Sequence, residues 1–113
     1  LMLSGSKDAN DIAKTTTALE HLVRSQARDG GWGPFPETPT EVFDTAVAVI
    51  ALNASGAAHR ESIDRGRQYL ITSQVSDGGW VETTRPSGAQ SYAQRISTSA
   101  WALLALVESR SRR

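Results

Sequence analysis

The sequence contains no cysteine and only two histidines, His21 and His59. The missing cysteine excludes disulfides, thiolate metal sites and cysteine nucleophiles. The scarcity of histidine leaves little from which to build an imidazole site. His21 falls within a helical stretch and His59 in a turn after Gly56, so both read as packing or surface residues. Charge of one sign is also lacking: 12 basic residues balance 12 acidic ones among 113. A neutral chain offers no electrostatic grip on a polyanion, so nucleic acid is not an expected partner. The basic end formed by Arg110, Arg112 and Arg113 reads as solvated, frayed chain. No apolar run approaches the roughly 20 residues that span a bilayer, and Leu1-Met-Leu is too short for the apolar region of a signal peptide. On that reading the cytoplasm is the expected location. A first residue other than Met points to a piece of a longer protein. There is no Gly-rich phosphate loop, no Ser-His-Asp arrangement and no metal-binding motif, and neither a metal nor a cofactor is expected.

What the chain does have is one phrase written twice. Gln26-Ala-Arg-Asp29-Gly30-Gly31-Trp32 returns as Gln74-Val-Ser-Asp77-Gly78-Gly79-Trp80, 48 residues later. A repeat of that period indicates a supersecondary unit stacked on its neighbours. About 39% of residues are hydrophobic, enough for a core, and the length fits a single domain. We therefore expect one domain over residues 1–113, built from two repeats covering about 11–56 and 60–109.

Hydrophobic spacing predicts four helices. In the first, Ile12, Thr16, Leu19, Leu22 and Val23 form one buried stripe, with Lys14, Glu20 and Arg24 between them. The second, residues 43–52, is apolar almost all round; its alanines favour helix over strand, and Asn53 and Gly56 supply a stop. The third, about 62–74, is amphipathic, with Ile63, Leu70 and Ile71 set against Arg65, Arg67 and Gln68. The fourth, residues 99–107, is apolar all round again. Helices apolar on every side must be covered on every side, so the alternation predicts buried inner helices and half-exposed outer ones. Thr45-Ala46 and Ala51-Leu52 realign with Ser99-Ala100 and Ala105-Leu106 at an offset of 54 residues. The six extra residues fall in a loop over residues 81–95, rich in Pro, Gly and Ser.

In the repeated phrase, Gln26 and Gln74 end the amphipathic helices and Asp-Gly-Gly turns the chain. The glycines can take positive φ, and the aspartates can accept from nearby amides. Each Trp folds back as a large anchor with one N–H to satisfy, while the Gln amide pairs with open backbone groups at the helix end. The phrase is expected to rivet neighbouring hairpins together.

Arg65-Gly66, Tyr69-Leu70, Gln74, Gly78 and Trp80 carry the spacing of the QW motif of squalene–hopene and oxidosqualene cyclases. The first copy resembles it at Ala18, Leu22, Gln26, Gly30 and Trp32, with Thr17 and His21 in place of the basic and aromatic residues. Protein prenyltransferase β subunits have the related fold. The resemblance covers roughly residues 11 to 108. It implies an all-α fold: two helical hairpins of an α/α toroid, as a partial ring or one completed by oligomerisation. Class II cyclases of this kind carry Asp-x-Asp-Asp-Thr-Ala at the start of an inner helix, and the middle acid protonates the alkene or epoxide. The matching stretch here is Glu41-Val42-Phe43-Asp44-Thr45-Ala46. Glu41 and Asp44 hold the flanking acidic positions, and Phe43 stands where the proton donor belongs. A phenyl ring has no proton to give. Asp44 also suits a helix N-cap, and Thr38-x-x-Glu41 suits a capping box. The zinc ligands of the prenyltransferases, which include cysteine, are absent.

Three functional expectations follow. The first is a terpenoid-cyclase-like module, part of a bacterial cyclase-like protein, that is not catalytic by itself and whose inner helices line an apolar cavity. The second is participation in an active squalene-like triterpene cyclase or isomerase. There Phe43, Trp101 and Tyr92 would line the cavity and steady carbocations, and Asp44 or Glu41 would assist catalysis. The third is a non-enzymatic binding or scaffold module that uses the loop over residues 83–94. Two hairpins cannot bury all their faces. The expected partners are therefore the rest of a longer toroid or further copies of the chain, with a polyprenoid as ligand.

Overall fold

The computed structural model describes residues 8–34, 38–55, 57–81 and 92–110. Four α-helices follow in order: α1 Asp8–Arg24, α2 Val42–Ala54, α3 Arg60–Ser73 and α4 Tyr92–Glu108, with one turn of 3-10 helix at Ala57–His59 before α3. Among the described residues there is no strand; the only sheet-like feature is a single antiparallel bridge between Trp32 and Glu41.

α2 and α4 lie side by side, and α3 packs on α2 and more lightly on α4. Alanines keep the helices close: Ala46, Ala102 and Ala105 are fully buried beside Val49, Leu52, Ile63 and Leu70, with Trp32 and Trp80 closing the core. α1 joins this cluster only through its last turns, where Leu19, Leu22 and Val23 are partly buried.

Three expectations need correction. The stripe predicted on α1 is only half formed, because Ile12 and Thr16 are exposed; nothing among the described residues covers the start of that helix. Nor are α2 and α4 covered on every side: Phe43 and Val47 on one and Trp101, Leu103, Leu104 and Val107 on the other are exposed. Finally, α4 begins seven residues earlier than its apolar run. Ser97, Thr98 and Ser99 interrupt the hydrophobic pattern, yet Thr98 is buried and Ser99 Oγ accepts from the Trp80 N–H at 2.9 Å. Arg95, expected in the loop, is instead in α4 and pairs with Asp77 at 2.7 Å. The loop expected to carry binding lies, over residues 82–91, outside the described residues.

The helix ends also differ from expectation. The N-cap of α2 is Glu41, in extended conformation and without a side-chain cap bond. Asp44 therefore sits in the first turn, where its charge suits the helix dipole but does not cap. Thr38 lies outside the cap position, so no capping box forms. The C-cap of α2 is Ser55, whose hydroxyl donates to Leu52 O at 2.6 Å.

Candidate functional site

Two candidate regions stand on this frame: the repeated turns, and the exposed apolar face shared by α2 and α4. The turns are near-copies of one another. Gly30 and Gly78 take φ of 93° and 92°. Asp29 Oδ1 accepts from the Gly31 N–H and Asp77 Oδ1 from the Gly79 N–H, both at 2.9 Å. The two indoles donate backwards onto the preceding helix, Trp32 Nε1 to Leu22 O at 2.9 Å and Trp80 Nε1 to Leu70 O at 2.8 Å. The indole, rather than the Gln amide, thus bonds a carbonyl in the last turns of the preceding helix. Gln26 Nε2 and Gln74 Nε2 donate across their own turns to Gly30 O and Gly78 O, at 2.9 and 2.7 Å.

Beyond its own turn, the first copy is tied to the next hairpin. Gln26 Nε2 also donates to Ser62 O in α3 at 3.0 Å. Arg65 Nη2 reaches back to Ala27 O and Arg28 O at 3.1 and 3.0 Å, and Arg65 Nη1 to Gln26 Oε1 at 3.3 Å. Gly66 allows the close approach: a Cβ there would lie 2.6 Å from Val49 Cγ2 and 3.2 Å from the Trp32 ring. This clamp ties the first turn to α3, and its cation, Arg65, was not foreseen in that role. A second missed pair is Thr45 and Ser99, whose hydroxyls accept from the Trp32 and Trp80 backbone N–H groups, each at 2.9 Å. The signal was present in the sequence, as hydroxyls conserved in position across the 54-residue offset.

The apolar face is built by helical spacing. Phe43 and Val47 are one turn apart on α2, and Trp101 and Leu104 occupy the facing side of α4. Phe43 and Trp101 meet edge to face, with ring centroids 6.2 Å apart and planes at 86°, a favoured aromatic geometry. They are 42% and 40% exposed, so the pair sits on open surface rather than in an enclosed pocket. Tyr92 begins α4, but its side chain lies outside the described residues. Glu41 is buried, and its N–H donates to Trp32 O at 3.0 Å. Asp44 is half-buried, one residue round the helix from Phe43 and so off the line of Phe43 and Val47. The structure therefore brings Phe43 and Trp101 together, with Glu41 buried and Asp44 turned off their line.

Elsewhere, a recess of about 560 Å³ runs along α1 past Ala13, Thr17, Ala18 and His21. Another of about 610 Å³ lies between the first turn and Tyr69, past Asp29 and Thr40. Burial pushes the Tyr69 phenol up from its usual range, against hydrogen bonds with Thr40 and Ser73 that draw it down. Neither recess contains the aromatic pair. Among the described residues no group of three or more His, Asp or Glu could hold a metal. No helix there is long and apolar enough to cross a membrane.

The family model for the squalene–hopene cyclase C-terminal domain matches residues 2–113. The chain belongs to that family. It is accordingly an all-helical domain fragment of terpenoid-cyclase type. It is 43% identical over 74 residues to a drimenyl diphosphate synthase of Streptomyces showdoensis, covering 64% of this chain and 13% of that protein. It is 32% identical over 97 residues to a lanosterol synthase of Saccharomyces cerevisiae, covering 80% and 13%. To a squalene–hopene cyclase of Zymomonas mobilis it is 32% identical over 101 residues, covering 83% and 15%. The chain thus spans only about an eighth to a seventh of the length of these curated relatives.

Proposed function

We propose that this squalene–hopene cyclase-type chain supplies one wall of an apolar cavity for a polyprenoid and carries no proton donor of its own. The observation behind this reading is the Phe43–Trp101 pair. Two aromatic rings, both open to solvent, meet in edge contact, and one of them, Phe43, occupies the start of α2 at the position where class II cyclases place their acid. An aromatic wall can hold an isoprenoid chain by dispersion and hydrophobic contact. It cannot protonate one. Glu41 and Asp44 lie within two residues of Phe43 in the sequence, so the alternative is that they assist catalysis in an assembled cyclase or isomerase. The names of the relatives favour a polyprenoid as the ligand class.

The three tryptophans make the test direct. Trp32 and Trp80 are buried with bonded indole N–H groups, whereas Trp101 is exposed. Titration with farnesol, a polyprenoid alcohol, should shift the Trp101 emission to the blue. Phe43→Ala should weaken that binding several-fold, and Asp44→Asn should leave it unchanged. Incubation with squalene should yield no cyclised product. Absence of any shift would remove the cavity-wall reading. Product that appears with squalene and vanishes in Asp44→Asn would establish the catalytic alternative instead.

A further inference from the structure

The two hairpins enter their inner helices by different backbone paths. α2 begins at Val42, whose counterpart at the 54-residue offset is Ile96, yet α4 begins at Tyr92. α4 therefore carries an extra turn, Tyr92–Arg95, where the first hairpin has Thr38-Pro39-Thr40-Glu41. Those four residues are not helical. Glu41 is extended, with φ −132° and ψ 148°. It forms the antiparallel bridge to Trp32, and its N–H donates to Trp32 O at 3.0 Å. Among the described residues no bridge joins Trp80 to Arg95.

Around this difference the hairpins coincide. The Trp32 and Trp80 N–H groups donate to Thr45 Oγ1 and Ser99 Oγ, each at 2.9 Å. The same hydroxyls return to Trp32 O and Trp80 O, each at 3.4 Å. Both paths thus lead into the same anchor. In each, the aspartate of the turn holds the entry segment. Asp29 Oδ2 accepts from Thr40 Oγ1 at 2.8 Å, whereas Asp77 Oδ1 and Oδ2 accept from Arg95 Nη2 at 2.7 and 2.8 Å. The residues account for the choice. Pro39 pushes Thr38 toward extended backbone, and threonine is a poor helix former. Alanine, glutamine and arginine, at positions 93 to 95, favour helix. The ion pair is a weak latch, because the Arg95 and Asp77 side chains are 35% and 62% exposed and exposed pairs hold loosely.

We propose that the entry to α4 is a two-state element. In the helical state, Arg95 latches Tyr92–Arg95 to Asp77. In the extended state, residue 95 bridges Trp80 as Glu41 bridges Trp32, and Gln94 takes the place of Thr40 on Asp77, where its amide can donate. The anchor from Ser99 to Trp80 serves both states. Helix rises about 1.5 Å per residue and strand about 3.3 Å, so the four residues lengthen by about 7 Å on extension. That change shifts the backbone at Tyr92, the third aromatic expected at the cavity from the sequence, and leaves Trp101 in place.

Residue-corrected 13Cα shifts of positions 92–95, with amide contacts to Trp80, test the proposal. The wild-type chain supplies the helical end point. A variant carrying the first hairpin's entry, Tyr92→Thr/Ala93→Pro/Gln94→Thr/Arg95→Glu, should supply the extended one, with a contact between the residue 95 N–H and the Trp80 backbone. Arg95→Gln cuts only the latch. Its shifts should move at least about a quarter of the way from the helical to the extended end point, by population shift, and the Trp80 contact should become detectable. Thr98 and Ala102 should stay helical in all three. The proposal is overturned if the four-residue variant lacks the Trp80 contact, or if Arg95→Gln keeps wild-type shifts. Shifts in Arg95→Gln that drift toward random coil without that contact would also overturn it, as simple fraying, and so would loss of helix at Thr98 or Ala102.

Discussion

Gly30 and Gly78 offer a comparison in which backbone strain cancels and only the contact between hairpins remains. Both hold φ near +92°, so alanine at either pays the same left-handed penalty of about 1–2 kcal/mol. Both changes also restrict the unfolded chain equally. The surroundings differ. The new Cβ at position 30 would lie 2.5 Å from Arg65 O and 3.1 Å from Arg65 C, a backbone that can yield only if α3 shifts. That overpacking adds about 1–3 kcal/mol. At position 78 the nearest atom among the described residues is in the flexible Gln74 amide, at ordinary contact distance. Gly30→Ala should therefore lower stability by about 2–5 kcal/mol in total and Gly78→Ala by about 1–2. Urea denaturation followed by circular dichroism reads the difference. At a slope of about 1 kcal/mol per molar, the midpoint for Gly30→Ala should fall at least about 1 M below that for Gly78→Ala. Midpoints that coincide would mean that α3 does not press on the first turn, and the stacking geometry argued above would be wrong.

Thr45→Val keeps the shape of a fully buried side chain but removes the acceptor for the Trp32 N–H; it should cost about 1–3 kcal/mol by the same melt. Ser99→Ala, at the half-buried matching position, should cost less. Asp77 is held below the usual carboxylate range chiefly by the Gly79 N–H, with Arg95 beside it. Because the folded value is depressed, its contribution is complete above the ordinary carboxylate range and is lost as pH falls through the lowered value. An acid titration followed on the Gly79 amide resonance should show that late step, and Asp77→Asn should abolish it.

The repeated turns were legible because their chemistry is local. Asp-Gly-Gly-Trp supplies its own positive φ, its own acceptor for an amide and its own returning indole N–H. Helix existence was equally clear, since apolar spacing is a local pattern. The missing parts depended on partners far away in sequence. Arg65 was visible as a motif residue, but its acceptors are 37 and 38 residues upstream. Ser97 and Thr98 fell outside the predicted helix because polar residues precede the apolar run, yet Thr98 is buried, and Ser99, read only as the helix start, serves Trp80 across the hairpin. Ile12 and Thr16 were assigned to a core that does not reach them. Periodicity states which face a helix is meant to bury, not what will bury it. Phe43 was located by the cyclase-like stretch and Trp101 by the apolar run of the fourth helix; their edge contact required the α2–α4 pairing, which no single helix encodes.

α4 makes the functional division explicit, because three of its faces have three different fates. Thr98, Ala102 and Ala105 are buried in the core. Trp101 and Leu104 continue the aromatic face begun by Phe43. Leu103 lies about 100° round the helix from Leu104 and belongs with Ile96 and Val107 on the far side. A helix so apolar would be a liability if one surface served every purpose. Neighbouring leucines therefore lie on different faces. Phe43→Ala should weaken the response of Trp101 to farnesol, whereas Leu103→Glu should leave it intact. Loss of the response in both variants would mean that the two faces act as one surface.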